Sequence, residues 1–307
     1  MRQTIETAYA KINLSLDVTG RREDGYHLVK MVMQSVDLCD SLTLATQDRN
    51  LEQMKISLTS DICSLPPRDK NLVWKAVTLM ADEFGLHTDV FVNIRKRIPM
   101  EAGLAGGSTD AAAMLRAMRD LFVPDLPDTE LQRLGVRLGA DIPYCIRGGT
   151  QLAEGIGEVL TELPDAPSCA VILVKPKEGA STPQIYRGYD ALEEVERPDI
   201  GRQIRAIQSG DLVTMAGCCC NVLEQVTGRM FPVIGQIEKW MEERGALISR
   251  MTGSGPTVFA LFEDAEQARL VLERFREESL SENCTSFLSG FVPGSEVRKK
   301  DGDYRQK

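Results

Sequence analysis

Three patterns in the amino-acid sequence predict a fold that mixes α-helices and β-strands. Residues 5–18 alternate apolar and polar side chains, as a strand with one buried face does. Residues 71–84 repeat apolar side chains at helical spacing, which predicts an amphipathic helix. A glycine-rich loop separates a strand-like run at 89–94 from a small-residue run of helical character at 111–118. Strand, glycine loop and helix in this order indicate a site for an anion.

The composition is that of a soluble globular protein. The chain has 307 residues, enough for two domains with separate cores, and it is 43% hydrophobic and 26% charged. No apolar run reaches the length of a membrane span. The formal net charge of -9 disfavours broad binding to nucleic acid or to an anionic membrane, because neither is attracted to an acidic surface. Any recognition of phosphate is therefore expected to be local.

The eight cysteines favour a reducing compartment over a disulfide framework. Most are scattered, and no secretory signal follows Met1, so we expect a cytoplasmic protein. Only Cys218, Cys219 and Cys220 are adjacent, within a segment at 218–225 that is predicted to be helical. Adjacent helical side chains point in different directions and cannot jointly ligate one metal. We therefore predict small, buried or half-buried residues there and no metal held by the protein.

The first strand is predicted to have two chemically distinct faces. Its alternation puts five apolar residues on one face, namely Ala8, Ala10, Ile12, Leu14 and Leu16. The other face holds Tyr9, Lys11, Asn13 and Ser15, and it is either exposed to solvent or part of a site. A second apolar run follows at 28–38, and residues 42–58 predict two more strands with a polar turn at 47–50.

The loop from Pro99 to Ala113, PMEAGLAGGSTDAAA, is the strongest candidate for a functional element. Gly103, Gly106 and Gly107 let the backbone approach an anion, and the first N–H groups of the following helix lack intrahelical partners. The loop has neither the lysine of a Walker motif nor the GxGxxG spacing of a dinucleotide fold. It is either a plain turn into a helix or a phosphate site of another class.

The remaining elements are a mixture of helices and strands. A helix is predicted from Asp128 or Thr129 to Leu138, and Asp141 lies between that helix and a predicted strand, where its carboxylate either caps a turn or faces a cleft. Later elements are predicted as a hairpin at 148–162, a strand at 170–174, helical segments at 190–209, 218–225 and 234–243, two strands within 246–262, and a helix at 263–280. The tail from Gly294 is predicted to be disordered.

Three segments resemble motifs of the GHMP kinases, the family that includes galactokinase, homoserine kinase and mevalonate kinase. The glycine loop resembles their second motif, Pro-x-x-x-Gly-Leu-Gly-Ser/Gly-Ser-Ser/Thr, with Ala105 where the family commonly has glycine. The segment MTGSGPTVFALF resembles the third motif, with Pro256 at a position where proline removes an N–H donor. The segment GADIPYCIRGG resembles the one that bears the catalytic aspartate, here Asp141.

The N-terminal segment AYAKINLSLDVTGRREDGYHLV narrows this resemblance. It is similar to the signature of one GHMP branch, the kinases that phosphorylate the 2-hydroxyl of 4-diphosphocytidyl-2-C-methyl-D-erythritol in the non-mevalonate isoprenoid pathway. The step Gly25-Tyr26-His27 distinguishes this branch from the others. The alternatives are a GHMP kinase for another small alcohol, of homoserine or mevalonate type, and a catalytically silent GHMP-fold protein that binds a metabolite.

The resemblance implies an α+β fold, the GHMP kinase fold, in two domains. Residues 1–162 are expected to form an N-terminal domain of the ribosomal-S5-domain-2-like kind, and residues 163–293 a ferredoxin-like C-terminal domain. The active site is expected between them. Residues 294–307 form the tail that is predicted to be disordered.

The resemblance also implies the site residues. Lys11 and Asp141 are the expected catalytic pair, because a lysine favours the ionised form of a neighbouring carboxylate and offsets charge on a transferring phosphoryl group. ATP is expected to contact Asn71, Leu72, Lys96, Pro99, Met100, Glu101, Ala102, Gly103, Leu104, Ala105, Gly106, Gly107, Ser108 and Thr109, the first three at the adenine. The acceptor is expected to contact Asn13, Tyr26, His27 and Tyr186. Mg²⁺ is expected to accompany ATP, with Ser108 as the side chain that could reach it.

Overall fold

The computed structural model describes residues 2–47, 54–62 and 65–298, and its elements confirm the mixed α and β fold. The strands are β1 (Arg2–Arg21), β2 (His27–Gln47), β3 (Lys55–Ser60), β4 (Asp89–Arg95), β5 (Thr150–Glu154), β6 (Val159–Glu162), β7 (Ala170–Pro176), β8 (Cys220–Asn221), β9 (Ile248–Met251), β10 (Val258–Phe262) and β11 (Cys284–Val292). The helices are α1 (Leu72–Phe84), α2 (Gly106–Phe122), α3 (Asp128–Val136), α4 (Ile142–Arg147), α5 (Thr182–Tyr189), α6 (Ile200–Ser209), α7 (Leu212–Gly217), α8 (Glu224–Met230), α9 (Val233–Glu242), α10 (Ala265–Glu277) and α11 (Gly294–Val297). In these ranges no helix combines the length and the apolar composition needed to cross a bilayer. Residues 48–50 of the predicted turn lie outside the described residues.

The long strand β2 joins the two halves of the sheet. It pairs antiparallel with β1, β4 and β5, and also with β11 through Val36 and Ser35. The C-terminal strands follow in the order β11-β7-β10-β9, with every neighbouring pair antiparallel. This is the strand order of a ferredoxin-like β-α-β-β-α-β unit, as predicted. Because β11 contacts both β2 and β7, hydrogen bonding continues across the predicted domain boundary after residue 162, and that boundary stays a prediction.

Two register shifts in β1 change the face that its side chains occupy. The pairing of β1 with β2 slips twice within residues 9–15. The five apolar residues predicted to share one face consequently divide between two core clusters. Ala8 and Leu16 lie in one cluster and the three residues between them in the other. The prediction of a single apolar face is wrong, because alternation gives a common face only while the strand is unbroken.

The polar face of β1 is buried, so the solvent-exposed alternative is excluded. Lys11 is 5% exposed, Asn13 1% and Ser15 0%. The hydroxyl of Ser15 donates a hydrogen bond to the carbonyl of Cys218 at 3.2 Å, next to the parallel pairing of β1 with β8. Lysine is seldom buried to this extent unless its ammonium has partners. The burial of Lys11 therefore indicates a site.

Helix α2 packs closely on β1 and is fixed there by a buried arginine. Ala111, Ala112 and Ala113 are fully buried, so the helix backbone can approach the sheet. The guanidinium of Arg116 donates to Glu6 Oε2 at 2.9 Å and also to backbone carbonyls of β1 and α4. Burial raises the pKa of Glu6, although the charge of Arg116 opposes that shift. The Arg116 side chain therefore joins α2 to both β1 and α4.

Four further local predictions are wrong. Of the predicted helical segment at 190–209, only Ile200–Ser209 is helical. The segment at 218–225 is not one helix: α7 ends at Gly217 and β8 pairs with β1, because the edge of β1 offers hydrogen bonds that a continued helix would forgo. The three cysteines are nevertheless buried or half-buried, as predicted. Asp141 precedes α4 and not a strand; a proline in the first turn of that helix suits a helix start. The tail begins with α11, where Val297 packs against Gly148, so it is ordered at least to Val297.

Replacing Arg116 by alanine is expected to lower the free energy of unfolding by about 3 to 5 kcal/mol, because the Glu6 carboxyl is left buried without its partner. Chemical denaturation measures this change. The matched control is Arg133→Ala, which removes a guanidinium that pairs with Glu130 at the exposed surface and should cost less than about 1 kcal/mol. Equal losses for the two variants would contradict the role of Arg116 in fixing α2.

Candidate active site

One cleft of about 1130 Å³ brings together most of the predicted site residues. It is lined from β1, the start of β2, the N-termini of α1, α2 and α4, helix α5 and the turn after β9. Every predicted site residue lines it except Leu104 and Thr109. Leu104 is buried in the core, and the Thr109 hydroxyl donates to the carbonyl of Tyr9 at 2.7 Å. The donor of the Thr109 hydroxyl is therefore taken by β1, and its contact with phosphate or Mg²⁺ stays a prediction.

The N-terminus of α2 opens onto the cleft without a capping side chain. Ala105 precedes the helix and forms no side-chain cap, and the N–H of Thr109 bonds the carbonyl of Ala105 at 2.9 Å. The preceding N–H groups, from Gly106 to Ser108, are orphan donors of the first turn. The Ser108 hydroxyl also faces the cleft and has no hydrogen bond within the described parts of the chain. Orphan donors and the helix dipole together suit an anion.

The glycine loop stores backbone strain at the position where it departs from the family pattern. Ala105 has a φ of 56°, in the left-handed region, and Glu101 has a φ of 50°. For a residue with a Cβ this conformation costs about 1 to 2 kcal/mol relative to a right-handed one. If Ala105 requires a positive φ, the sequence predicts that the loop either carries strain or binds phosphate slightly differently. The structure shows the positive φ, and its effect on phosphate binding stays a prediction.

The second and third motif segments pack against each other at glycines. Gly103 has a φ of 74°, and a Cβ placed on it would lie 2.4 Å from the carbonyl oxygen of Thr252. The Thr252 hydroxyl accepts the backbone N–H of Asn13 at 2.8 Å. The side-chain amide of Asn221 donates to the carbonyls of Met251 and Gly253. The turn after β9 is thus attached both to β1 and to the glycine loop.

The predicted catalytic pair meets at the edge of the cleft. Lys11 Nζ lies 4.0 Å from Asp141 Oδ2 and donates to Asn13 Oδ1 at 2.7 Å. The Asp141 side chain is 36% exposed, and although it stands at the start of α4 it makes no capping hydrogen bond. Its carboxylate is therefore available to a ligand, with the buried ammonium of Lys11 beside it.

The ammonium of Lys96 is held by two carboxylates. It donates to Asp110 Oδ2 at 2.7 Å and to Asp40, and all three side chains are buried. Burial raises the pKa of Asp110 to about 8, whereas Lys96 opposes this shift. Burial disfavours the charged form of Lys96, but its pKa is raised because the two carboxylates outweigh that effect. Asp40 also accepts the N–H of Ile98 at 2.9 Å, so the group fixes the entry to the glycine loop.

The cleft near Asn71 is shaped by the start of α1. Oδ1 of Asn71 accepts the N–H groups of Val73 and Trp74, at 2.9 and 3.2 Å, and so caps that helix. Any contact of the Asn71 side chain with adenine must therefore come mainly from its amide nitrogen. Leu72 follows and lines the same part of the cleft.

The opposite end of the cleft is aromatic. The rings of His27 and Tyr186 lie 4.7 Å apart and are tilted by 31°, and Tyr26 is exposed beside them. His27 Nε2 lies 2.6 Å from Asp190 Oδ1. Burial raises the pKa of the Tyr186 hydroxyl, and the negative charge of Asp141 raises it further. Flat rings with one polar group suit a planar base.

Comparisons with known proteins agree with this geometry. The family model described as GHMP kinases N terminal domain matches residues 71–149, and the model for the GHMP kinases C terminal region matches residues 191–279. A protein of Clostridium acetobutylicum named 4-diphosphocytidyl-2-C-methyl-D-erythritol kinase is 43% identical, covering 88% of this chain and 95% of the relative. The chain belongs to the 4-diphosphocytidyl-2-C-methyl-D-erythritol kinase family. A relative of the same name from Lachnospira eligens is 46% identical, covering 87% of this chain and 91% of the relative.

Solved structures extend the comparison to the whole fold of this GHMP kinase. A crystal structure of 4-(cytidine 5'-diphospho)-2C-methyl-D-erythritol kinase superposes with a TM-score of 0.77 at 28% identity, covering 94% of this chain and 99% of that one. Homoserine kinase from Cytophaga hutchinsonii also gives a TM-score of 0.77, at 17% identity and 95% coverage of both chains. The second likeness shows a common fold only.

The sequence analysis of this kinase missed several residues that shape its cleft. Asp190 lay in a segment of low information and Asn221 in a segment predicted to be helical, and Thr252 was not separated from the glycines that follow it. Asp40 and Asp110 come from distant parts of the chain and meet only at Lys96. The one local signal was the four-residue spacing of Tyr186 and Asp190, which places both on one face of a helix.

Replacing Gly103 by alanine is expected to raise the KM for ATP at least about tenfold and to lower the free energy of unfolding by at least about 2 kcal/mol. The added Cβ meets the Thr252 carbonyl, and the φ is left-handed. Steady-state kinetics and denaturation measure the two effects. Gly217→Ala is the control, because its Cβ would have no neighbour within 4 Å, and it should stay within about 0.5 kcal/mol. An unchanged Gly103→Ala would contradict the packing of the two turns.

Proposed function

We propose that this protein transfers the γ-phosphoryl group of ATP to the 2-hydroxyl of 4-diphosphocytidyl-2-C-methyl-D-erythritol, giving the 2-phosphate and ADP in the non-mevalonate isoprenoid pathway. The relatives named above support the reaction. The observation that carries the proposal is the presence, in one cleft, of an uncapped helix N-terminus, the Lys11–Asp141 pair and the His27–Tyr186 ring pair. These are the three parts that a kinase for a nucleotide-linked alcohol needs.

Asp141 is the proposed base. Its carboxylate orients the acceptor hydroxyl and takes its proton as the acceptor oxygen bonds to the γ-phosphorus and the bond to the bridging oxygen of ADP breaks. Lys11 balances the negative charge that Asp141 and the transferring group bring together. The hydrogen bond from Lys11 to Asn13 at 2.7 Å fixes the direction of the ammonium. Asn13 also lines the cleft, where we propose that its amide nitrogen faces the polar end of the acceptor.

ATP is proposed to lie with its phosphates on the first turn of α2 and its adenine near Asn71, Leu72 and the backbone at Lys96. The orphan N–H groups of that turn and the free Ser108 hydroxyl fit a phosphate and its cation. Mg²⁺ is proposed to arrive with ATP and to lower the repulsion between its phosphates. Among the described residues no group of three or more His, Cys, Asp or Glu side chains could hold a metal ion, so Ser108 is the side chain we assign to it.

The acceptor's cytosine is proposed to lie at the aromatic end, between Tyr26 and Tyr186 and beside His27. A small alcohol such as homoserine or mevalonate has no flat ring to occupy this end of the cleft. The family match and this aromatic end both favour the cytidine-linked substrate. We further propose a reducing compartment such as the cytoplasm, which the free thiols of the seven described cysteines support.

The reaction is tested by measuring ADP release with the cytidine-linked acceptor, with homoserine and with mevalonate as separate substrates. The proposal expects release with the first alone. Comparable release with homoserine or mevalonate would favour a kinase for another alcohol. No release with any of the three, from folded protein that binds ATP, would favour a silent metabolite-binding protein.

The variant Asp141→Asn is expected to lose about 10² to 10⁴ in kcat while both KM values stay within about threefold, because the amide keeps the shape but cannot take a proton. Steady-state kinetics in both substrates measures the split. Asp125→Asn makes the same chemical change at an exposed position outside the cleft and should leave kcat unchanged. A kcat for Asp141→Asn near that of the unmodified protein would remove Asp141 from the role of base.

A further inference from the structure

Helix α5 presents two side chains to one imidazole. Tyr186 and Asp190 are four residues apart, so they lie on the same face of the helix end. The ring of Tyr186 lies 4.7 Å from the ring of His27, and Asp190 Oδ1 lies 2.6 Å from His27 Nε2. Tyr189 adds an edge contact at 6.4 Å. These contacts fix both the plane and the rotation of the His27 ring.

Capping does not explain Asp190. It stands at the C-terminus of α5, where the helix dipole disfavours a negative charge. The side-chain hydrogen bonds of Asp190 go across the cleft, to His27 and to Arg21 Nη1 at 3.2 Å. The helix dipole does not favour an acidic residue at this position, and Asp190 contacts a histidine that lines the cleft. The position of Asp190 is therefore better explained by its effect on His27.

The hydrogen bond to Asp190 determines which nitrogen of His27 holds the proton. An ionised carboxylate only accepts, so Nε2 must donate. In a neutral imidazole the other nitrogen, Nδ1, is then an acceptor. Within the described residues His27 makes one side-chain hydrogen bond, through Nε2, and His27 lines the cleft. Nδ1 is therefore the ring atom left for a ligand.

We propose that Asp190 is a positioning residue that sets base specificity: it holds His27 in the tautomer whose Nδ1 accepts a hydrogen bond, so that the cleft selects a pyrimidine bearing an amino group over its keto counterpart. This inference rests on the proposed function. The exocyclic amine of cytosine donates, whereas the carbonyl of uracil at the same position only accepts. With uracil, two acceptors would face each other and neither would be satisfied.

The tautomer is measured directly by ¹⁵N NMR of the ring nitrogens in histidine-labelled protein without substrates. The chain has only two histidines, and the second, His87, is exposed and serves as an internal reference identified with His87→Gln. At about pH 8.5, where an ordinary imidazole is neutral, His27 is expected to be protonated at Nε2 alone. The Asp190→Asn variant should give a mixture, because an asparagine can donate as well as accept.

A wild-type His27 protonated at Nδ1, or at both nitrogens at that pH, would overturn the proposal. An unchanged tautomer in Asp190→Asn would do the same. The tautomer of His27 in the unmodified protein is measured without turnover and without any variant. That result therefore tests the proposal even if the proposed reaction is wrong.

Kinetics with cytidine- and uridine-linked acceptors tests the consequence for specificity. The unmodified protein is expected to prefer the cytidine-linked acceptor by at least about a hundredfold in kcat/KM, and Asp190→Asn to lower that preference to about tenfold or less. The change should fall on the acceptor KM, with the KM for ATP unaltered. Glu194→Gln is the matched control, because Glu194 is an exposed acid four residues further along the chain. It should leave the preference for the cytidine-linked acceptor and the acceptor KM unchanged.

A variant that weakens both acceptors equally would show that Asp190 only shapes the pocket, and the proposal would fall. If the unmodified protein phosphorylates neither acceptor, the proposed function fails instead. The two failures can be distinguished, because the NMR measurement of the His27 tautomer does not depend on turnover.

Discussion

The buried ammonium group of Lys11 determines which side chains must lie beside it in the cleft. A charge removed from water must be compensated nearby, and here Asn13 supplies a hydrogen bond and Asp141 the opposite charge. The positions of Asn13 and Asp141 both depend on irregular backbone segments. With the register shifts in β1, Ala8 and Leu16 enter one core and the apolar residues between them enter the other, while Lys11 and Asn13 face the cleft. The start of α4 places Asp141 opposite Lys11.

The same constraint joins the two halves of the protein. Asn13 is bound through its backbone to the hydroxyl of Thr252, which belongs to the turn after β9, and that turn packs on Gly103 of the glycine loop. Asn221, on the short strand beside β1, supports the turn from the other side. A ligand that orders any one of these segments therefore acts on the others through direct contacts. The strained backbone at Ala105 lies within this assembly, where neighbouring contacts maintain its left-handed conformation.

Much of this arrangement could be predicted from the sequence, because helical periodicity, glycine spacing and motif order are local properties. The mixed fold and the glycine loop before α2 follow from these local properties. The ferredoxin-like strand order and the pairing of Lys11 with Asp141 were expected only from the resemblance to the GHMP kinases. The failures have non-local causes. Alternation along β1 could not reveal register shifts that depend on β2, and the helix predicted at 218–225 gave way to pairing with β1. Asp40, Asp110 and Asp190 act through partners in other elements, and apart from the four-residue spacing of Tyr186 and Asp190 no local pattern points to them. The roles of the individual site residues stay predictions.

The most direct test of the central claim is a crystal structure with a non-hydrolysable ATP analogue and the cytidine-linked acceptor bound together. The account predicts the acceptor 2-oxygen at about 2.6 to 3.2 Å from a carboxylate oxygen of Asp141, with the terminal phosphate on the N–H groups of the first turn of α2. An acceptor hydroxyl beyond hydrogen-bond reach of Asp141, or a triphosphate bound away from that helix N-terminus, would contradict it.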